Sequence, residues 1–161
     1  MPRLARWLGL ATLVVLLDQA SKAWVLASFR YLESVVVTPF FNLVLVYNSG
    51  AAFSFLAGAG GWQKWFFVVL ALGISAWLLS LLRHHAGERL LPLALSLILG
   101  GAIGNVIDRL RFDAVVDFLD FHLAGYHWPA FNVADSAITV GVVLMLWHQF
   151  RYGKDTETGT Q

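Results

Sequence analysis

The stretch Phe131–Trp147, FNVADSAITVGVVLMLW, decides how the rest of the chain is interpreted. From Ala137 onward it contains only apolar residues, one threonine and one glycine, which is typical of a helix surrounded by lipid. Asp135 lies one turn inside the start of this predicted helix. A charge at the centre of a membrane helix costs about 2.5–3.5 kcal/mol, and less toward the interface. We therefore expect Asp135 to face a wet or polar site near one membrane surface.

The composition of the whole chain is that of a membrane protein. It has 161 residues, of which 58% are hydrophobic and 13% are charged, and its mean hydropathy is +0.69. Such a chain is too apolar for a soluble domain of this size. The chain has no cysteine, which excludes disulfides, thiolate zinc sites and a cysteine nucleophile. The net charge of +1 argues against a nucleic-acid partner.

Four segments are long and apolar enough to cross a bilayer, which takes about 20 residues. They cover about residues 7–29, 65–82, 90–107 and 133–150. The predicted fold class is an all-α membrane protein whose four transmembrane helices form a single domain over residues 1–161. A secretory signal peptide is an alternative for the N-terminus, because Arg3 and Arg6 precede the first apolar run and Ser21–Ala23 could pass as a cleavage site. The apolar run resumes after Lys22, which favours a retained span.

Four spans place both termini on one side, and the basic residues indicate that this side is the cytoplasm. Arg and Lys residues close to span ends favour the cytoplasmic face. With cytoplasmic termini, six basic residues lie inside (Arg3, Arg6, Arg83, Arg89, Arg151 and Lys154) and five lie outside (Lys22, Arg30, Lys64, Arg109 and Arg111). This topology leaves two long outer loops, at about residues 30–63 and 108–132.

The first outer loop carries the pattern of β-strands. Residues 34–47 are rich in β-branched and aromatic side chains, which predicts a small extracytoplasmic β-sheet on the outer membrane surface. Pro39 is confined to an edge or a bend of that sheet. Residues 48–53 and 58–61 contain the glycines that predict turns.

Polar residues of three spans cluster toward the outer membrane face. They are Asp18 and Lys22 in the first span, Asn105, Asp108 and Arg109 at the end of the third, and Asn132, Asp135 and Ser136 at the start of the fourth. Within each group the spacing of three or four residues places the side chains on one helical face. A structural interpretation is that ion pairs lock the helices together, Asp18 with Lys22 and Asp108 with Arg109. Gly100 and Gly104 provide a small-residue face for close helix packing.

Three carboxylates lack an obvious cation: Asp117, Asp120 and Asp135, while Asp113 stands close to Arg111. For Asp135 alone, stabilisation by the positive end of a helix is a sufficient explanation. Two carboxylates brought together in a partly dry pocket cannot both ionise, so one holds a proton while the other acts as a base. Such a pair activates water and protonates a departing amine without metal or cysteine. Asp117 and Asp135 are therefore candidates for the chemistry of an aspartic peptidase.

The residues alone leave alternatives open. Ser21 and Lys22 suggest a serine–lysine peptidase, although adjacent helical residues point about 100° apart. Asp120, His122 and His127 suggest a metal site, although their spacing matches no strong motif. Intramembrane charges also mark transporters, and a purely structural helix bundle is a further alternative. A transport pathway requires polar residues along the full depth of the helices, whereas the second span carries no charged residue.

Taken together, the motifs resemble lipoprotein signal peptidase, also called signal peptidase II. The matching segments follow in order: LDQASK (17–22), NSGAAF (48–53), GGAIGNVIDR (100–109), VVDF (115–118) and FNVADS (131–136). The resemblance covers nearly the whole chain. It implies a bacterial inner-membrane aspartic peptidase with four transmembrane helices and an extracytoplasmic β-cradle. Such enzymes remove the signal peptide from diacylglyceryl-modified prolipoproteins, cleaving just before the lipidated cysteine.

The resemblance places the two catalytic aspartates on Asp117 and Asp135. Its other motif residues, expected to bind substrate or support the site, fall on Asp18, Lys22, Asn48, Gly50, Gly104, Asn105, Asp108, Arg109, Asn132 and Ala134. It implies no metal or cofactor, and its partners are the prolipoprotein, membrane lipid and inhibitors of the globomycin type. The outer loop with Asn48 and Phe53 is expected to close over the peptide. Asp113 departs from the pattern, because the family usually has glycine there, and a Cβ restricts the backbone.

Overall fold

The computed structural model of the chain describes residues 2–50 and 61–152. The helices are α1 (Pro2–Ser28), α2 (Gln63–His85), α3 (Leu90–Phe112) and α4 (Val133–Tyr152), and the strands are β1 (Ser34–Thr38), β2 (Phe41–Asn48), β3 (Val115–Leu123) and β4 (Tyr126–His127). Over these two ranges, all four helices are long and apolar enough to cross a membrane. The predicted fold class, four such helices with a small sheet, is therefore confirmed. Phe53 and most of the two predicted glycine turns lie outside the described residues.

The central helix is α3, which packs against α1, α2 and α4. Its small residues explain how closely two of these neighbours, α1 and α4, approach it. A methyl group built on Gly100 would lie 2.7 Å from Val14 Cβ on α1, and one built on Gly101 would collide with the backbone at Ala134 on α4. Across the same interface, a methyl group built on Gly141 of α4 would lie 2.6 Å from Ile98 Cγ1 on α3. The predicted small-residue face of α3 is thus used for close packing on two sides.

Apolar side chains from all four helices fill the half of the bundle that contains the start of α1 and the end of α4. The buried members of this core are Trp7, Ala11, Leu78, Leu82, Leu95, Ile98 and Leu99. The Trp7 indole N–H also donates to the carbonyl oxygen of Ala86 at 3.1 Å, which ties α1 to the connection between α2 and α3. The buried charged residues of the described chain lie toward the opposite end of the bundle.

The four strands form one antiparallel sheet in the order β1-β2-β3-β4. The sequence predicted strands within residues 34–47 with Pro39 at an edge or bend, and Pro39 lies in the bend between β1 and β2. It did not predict β3 and β4, which arise from the second outer loop; β3 pairs with β2, and β4 pairs with β3. In the β2–β3 register, Val46 lies opposite Asp117 and Asn48 lies opposite Val115. An apolar cluster of Val25, Leu45, Val116 and Phe118 holds the sheet against the end of α1.

The turn between α3 and β3 depends on Asp113. This residue ends α3 in the left-handed region, at φ 60° and ψ 6°, and its N–H donates to the Arg109 carbonyl oxygen at 3.2 Å. Aspartate tolerates this conformation better than most residues, which explains how it can replace a glycine. The carboxylate of Asp113 pairs with Lys64 at the start of α2 rather than with Arg111.

Candidate active site

Asp117 and Asp135 line one cavity, although they come from different elements of the fold. Asp117 lies on β3, and Asp135 lies in the first turn of α4. The cavity has a volume of about 590 Å³. Its polar lining also includes Asn48, Gly50, Asn105, Arg109 and Ser136, and its apolar walls are formed by Val115, residues 128–131, Ile138 and Val140.

Two asparagines connect the two aspartates. The side-chain amide of Asn132 donates to Asp117 Oδ1 at 2.7 Å, and that of Asn105 donates to Asp135 Oδ1 at 2.8 Å. Asn132 Nδ2 also lies 3.3 Å from Asn105 Oδ1, so the two amides touch each other. The sequence predicted that Asn105 and Asn132 lie toward the same membrane face, and the structure brings them into contact.

Asn132 also caps the start of α4, which it directly precedes. Its side-chain Oδ1 accepts the backbone N–H of Asp135 at 2.9 Å, which is the bond of a helix N-cap. The same residue therefore orients the helix that carries Asp135 and the side chain of Asp117. Its complete burial removes competition from water for these bonds.

The surroundings of Asp117 favour the protonated form of its carboxyl group. Burial raises the pKa of the Asp117 carboxyl to about 7, and the negative charge of Asp135 acts in the same direction. Hydrogen bonds from Asn132 and Asn48 and the positive charge of Lys22 oppose this rise in pKa. A carboxyl group that keeps its proton near neutral pH beside a second carboxyl group is the arrangement in which one acts as acid and the other as base.

Behind the cavity lies a buried ion cluster centred on Lys22. The Nζ atom of Lys22 is 2.8 Å from Asp18 Oδ2 and 2.8 Å from Asp108 Oδ2, and it donates to Asn105 Oδ1 at 3.1 Å. The predicted Asp18–Lys22 pair is confirmed. The predicted pairing of Asp108 with Arg109 is wrong, because Asp108 points from α3 toward α1, whereas the next residue points about 100° away.

Arg109 faces the cavity. Its guanidinium donates to the Gly50 carbonyl oxygen at 3.2 Å and to the Asn105 carbonyl oxygen at 3.5 Å. It also lies over the ring of Phe67 on α2, with Cζ 5.1 Å from the ring centroid. Arg109 thus connects α3 to α2 and to the turn that follows β2. In that turn the Gly50 N–H donates to Asn48 Oδ1 at 3.0 Å.

Gly104 and Ala134 are small because the ion cluster leaves no more room. A methyl group on Gly104 would lie 2.6 Å from Asp18 Oδ2 and 3.4 Å from the Ala134 side chain. Ala134 is completely buried, and its N–H donates to Asp18 Oδ1 at 2.9 Å. All the motif residues named from the sequence are therefore gathered in or directly behind one cavity.

The remaining candidates lie elsewhere or are already engaged. The Ser21 hydroxyl donates to the Asp18 carbonyl oxygen at 2.8 Å, and Lys22 is occupied by two carboxylates, which separates the two members of a serine–lysine pair. Asp120 accepts hydrogen bonds from Asn42 and from His127, both at 2.9 Å. Within the described part of the chain, no group of three or more metal-ligating side chains is arranged to hold an ion.

One polar residue of this region was missed in the sequence. Gln19 donates from Nε2 to Asp108 Oδ1 at 2.9 Å and to the Gly104 carbonyl oxygen at 3.2 Å. Gln19 follows Asp18 directly, and adjacent helical residues point to different faces. Helix spacing alone therefore did not predict that Gln19 lies beside the same ion cluster. Only the packing of α1 on α3 reveals its partners.

Comparison with known proteins gives concordant matches. A family model described as signal peptidase (SPase) II matches residues 10–151. A protein named lipoprotein signal peptidase from Azoarcus sp. (strain BH72) is 63% identical over 148 residues, covering 92% of this chain and 84% of that protein. One of the same name from Ralstonia nicotianae is 59% identical over 145 residues, covering 90% and 84%.

Two solved structures, both described as bacterial membrane enzymes, share the fold. One, determined at 2.3 Å resolution, matches with a TM-score of 0.82 at 32% identity, covering 98% of this chain and 93% of that chain. The other, determined at 1.9 Å resolution, matches with a TM-score of 0.75 at 31% identity, covering 92% and 94%.

Proposed function

The chain belongs to the signal peptidase II family, and from this premise we propose that Asp117 and Asp135 are its catalytic pair. As a lipoprotein signal peptidase, the protein is a membrane peptidase that cleaves signal peptides from prolipoproteins. One observation carries the assignment of the pair. Both carboxyl groups line the same cavity, and the amides of Asn105 and Asn132 join them.

In the proposed reaction, the pair holds one proton. The ionised carboxyl takes a proton from water while the water oxygen forms a bond to the scissile carbonyl carbon. The protonated carboxyl donates a hydrogen bond to the carbonyl oxygen, where negative charge develops. The C–N bond then breaks, the carbonyl forms again, and a proton passes to the departing amine. The proton belongs to the pair as a unit.

The cavity supports cleavage next to a lipid-modified residue. Its apolar wall includes Ile138 and Val140 of α4, and Val140 and Val143 are exposed on the outer surface of that helix. A diacylglyceryl group can therefore stay among the acyl chains while the peptide enters the cavity. Cleavage occurs just before the lipidated cysteine, whose amino group is the departing amine. Globomycin-type inhibitors occupy the same cavity, against the two aspartates.

The proposed orientation places both termini in the cytoplasm and the cavity near the outer leaflet of the bacterial inner membrane. Basic residues at the ends of the helices support it, because Arg3, Arg6, Arg83 and Arg89 are exposed at the end of the bundle where α1 begins and α4 ends. Asp117 and Asp135 lie at the opposite end. In this orientation, the two aspartates contact the cleavage site of the substrate on the extracytoplasmic side of the membrane.

The proposal is tested with purified protein in lipid nanodiscs and two precursors that differ only in the diacylglyceryl group. We expect cleavage of the lipidated precursor, with the modified cysteine as the new N-terminus by mass spectrometry, and inhibition by globomycin. Asp117→Asn and Asp135→Asn should each lower kcat by about 100- to 10,000-fold. Near-normal turnover by either variant removes that residue from the pair, and equal cleavage of both precursors removes the lipid requirement.

Asp120→Asn is the matched control. Asp120 lies on the same strand as Asp117 and is similarly buried, at 7% exposed against 2%. It faces Asn42 and His127 instead of the cavity. We expect its turnover to stay close to that of the wild type, which separates loss of a catalytic carboxyl from loss of any buried carboxyl on β3.

A further inference from the structure

Two buried carboxylates accept hydrogen bonds from the backbone directly before each of the two proposed catalytic aspartates. The N–H of Val116, directly before Asp117, donates to Asp108 Oδ2 at 3.0 Å. The N–H of Ala134, directly before Asp135, donates to Asp18 Oδ1 at 2.9 Å. Each proposed catalytic aspartate therefore follows a residue whose amide is fixed by a carboxylate from another helix.

A single ammonium group joins these two carboxylates. Lys22 Nζ lies 2.8 Å from an oxygen of Asp18 and 2.8 Å from an oxygen of Asp108. We call Asp18, Lys22 and Asp108 the lysine clamp. Their side chains are at most 2% exposed. Water therefore competes little for these charge-assisted hydrogen bonds, which are the strong ones in proteins.

Lys22 has no donor left for substrate. An ammonium group has three N–H donors, and the third is directed to Asn105 Oδ1 at 3.1 Å. This bond also sets the orientation of the Asn105 amide, whose Nδ2 then points to Asp135 Oδ1. The ammonium is thus a connector between backbone anchors and not a group that touches the reacting atoms.

We infer that the lysine clamp positions both catalytic aspartates, by tying the start of β3 and the start of α4 to one ammonium group. The inference rests on the proposed function of Asp117 and Asp135. The start of α4 also meets β3 through Asn132 and through the backbone hydrogen bonds that Phe131 makes with Phe118 and Leu119, and the clamp is a further connection that fixes their separation. Misplacement of catalytic groups by about 1 Å can cost about 100-fold in rate. The clamp residues therefore act on kcat rather than on substrate binding.

The test uses two variants that both remove the connection made by Lys22 but are expected to differ in stability. Lys22→Met leaves two carboxylates buried without a cation, so it removes both the connection and charge balance. The triple variant Asp18→Asn, Lys22→Met, Asp108→Asn is neutral and retains a side-chain oxygen opposite each amide. Lys64→Met is the matched control, because Lys64 also pairs with an aspartate at this end of the bundle, Asp113, but outside the clamp and with the carboxylate 80% exposed.

Each variant is measured in nanodiscs in three ways: thermal unfolding, kcat and KM with lipidated precursor, and a distance between two spin labels. The chain has no cysteine, so Leu123→Cys and Val143→Cys can be labelled without further changes. Both positions are exposed, on β3 and on α4 respectively, away from the cavity lining. The distance between them reports how β3 sits relative to α4.

We expect the triple variant to unfold near the wild-type temperature. Its kcat should be about 100-fold lower than that of the wild type, whereas its KM should change less than about threefold. The distribution of its spin-label distance should be broader than that of the wild type. Lys64→Met should match the wild type in all three. A triple variant with wild-type kcat, or with a wild-type distance distribution, overturns the inference. If Lys22→Met does not fold, the triple variant decides. If the wild-type protein cleaves no precursor, the proposed function fails, and the distance measurement still decides the clamp.

Discussion

Asn132 donates to Asp117 Oδ1 at 2.7 Å from the same side chain whose oxygen caps the helix carrying Asp135. Asn132→Asp keeps the capping oxygen but replaces the donor toward Asp117 with a second carboxylate. We expect nearly wild-type helix stability and a kcat lowered by about 100-fold. Asn132→Ala loses both functions, and loss of the cap should lower the unfolding free energy by about 1 kcal/mol relative to the wild type. Equal kcat for Asn132→Asp and the wild type would show that the donor is dispensable; kcat and thermal unfolding are the measurements.

The stability of the protein should fall as pH rises toward neutrality. Burial raises the pKa of the Asp117 carboxyl to about 7 from its ordinary value of 3.8. The unfolded chain ionises this group at lower pH than the folded chain does, so the free energy of unfolding falls between about pH 4 and pH 7. The loss is roughly 4 kcal/mol. Thermal unfolding of Asp117→Asn should lack this fall and exceed the wild type above pH 7; parallel curves for the two proteins contradict the assignment.

Cleavage should decline on the alkaline side of neutrality. The proposed reaction needs one protonated and one ionised carboxyl, and the proton of the buried pair is lost as pH rises through the pKa of about 7 near Asp117. We expect kcat/KM to fall about tenfold per pH unit above that point. The profile is measured with lipidated precursor in nanodiscs. A rate that stays level up to pH 9 would mean that no proton on the pair is required.

Gly104 is predicted to tolerate no side chain. The methyl group of Gly104→Ala would lie 2.6 Å from Asp18 Oδ2, so Asp18 must move away from the Ala134 N–H. We expect a loss of about 1–3 kcal/mol in unfolding free energy together with lower kcat. Gly73→Ala is the control, since nothing lies within 4 Å of that position on α2, and alanine there should gain up to about 1 kcal/mol. Similar unfolding temperatures for the two variants would contradict the tight contact.

Asp113 is predicted to be replaceable by glycine but not by alanine. Its backbone is left-handed at φ 60°, which glycine adopts without steric cost. Its exposed pair with Lys64 contributes only about 0–1 kcal/mol. Asp113→Gly should therefore change the unfolding free energy by less than about 1 kcal/mol, whereas Asp113→Ala should lose about 1–2 kcal/mol. Lys64→Met, which removes the pair but not the backbone preference, should resemble the glycine variant in thermal unfolding.

Features that depend on local spacing could be predicted from the sequence. Asp18 and Lys22 are four residues apart on one helix, so their pairing follows from helix geometry, and it is confirmed. The partner of Asp108 could not be predicted in this way, because it depends on how α1 packs against α3. The same is true of Gln19, whose partners lie on another helix.

The strand β3 was missed for a similar reason. Its first four residues are all buried, so it lacks the alternation of buried and exposed side chains that indicates a strand. Its strand conformation follows from pairing with β2, about 70 residues earlier in the chain. The family motifs nevertheless located Asp117 and Asp135, because the short motifs mark both positions without knowledge of the sheet. The roles of the two aspartates remain a prediction until they are tested by substitution.

The hydrogen bond between Ala134 and Asp18 joins residues that are 116 positions apart. During synthesis, Asp18 and Lys22 leave the ribosome while α4 has not yet been translated. In the proposed mechanism, Asp117 therefore lacks its partner carboxyl, Asp135, until that last span enters the membrane. The proposed pair therefore predicts that a nascent chain has no hydrolytic capacity until biogenesis of the helical bundle is complete.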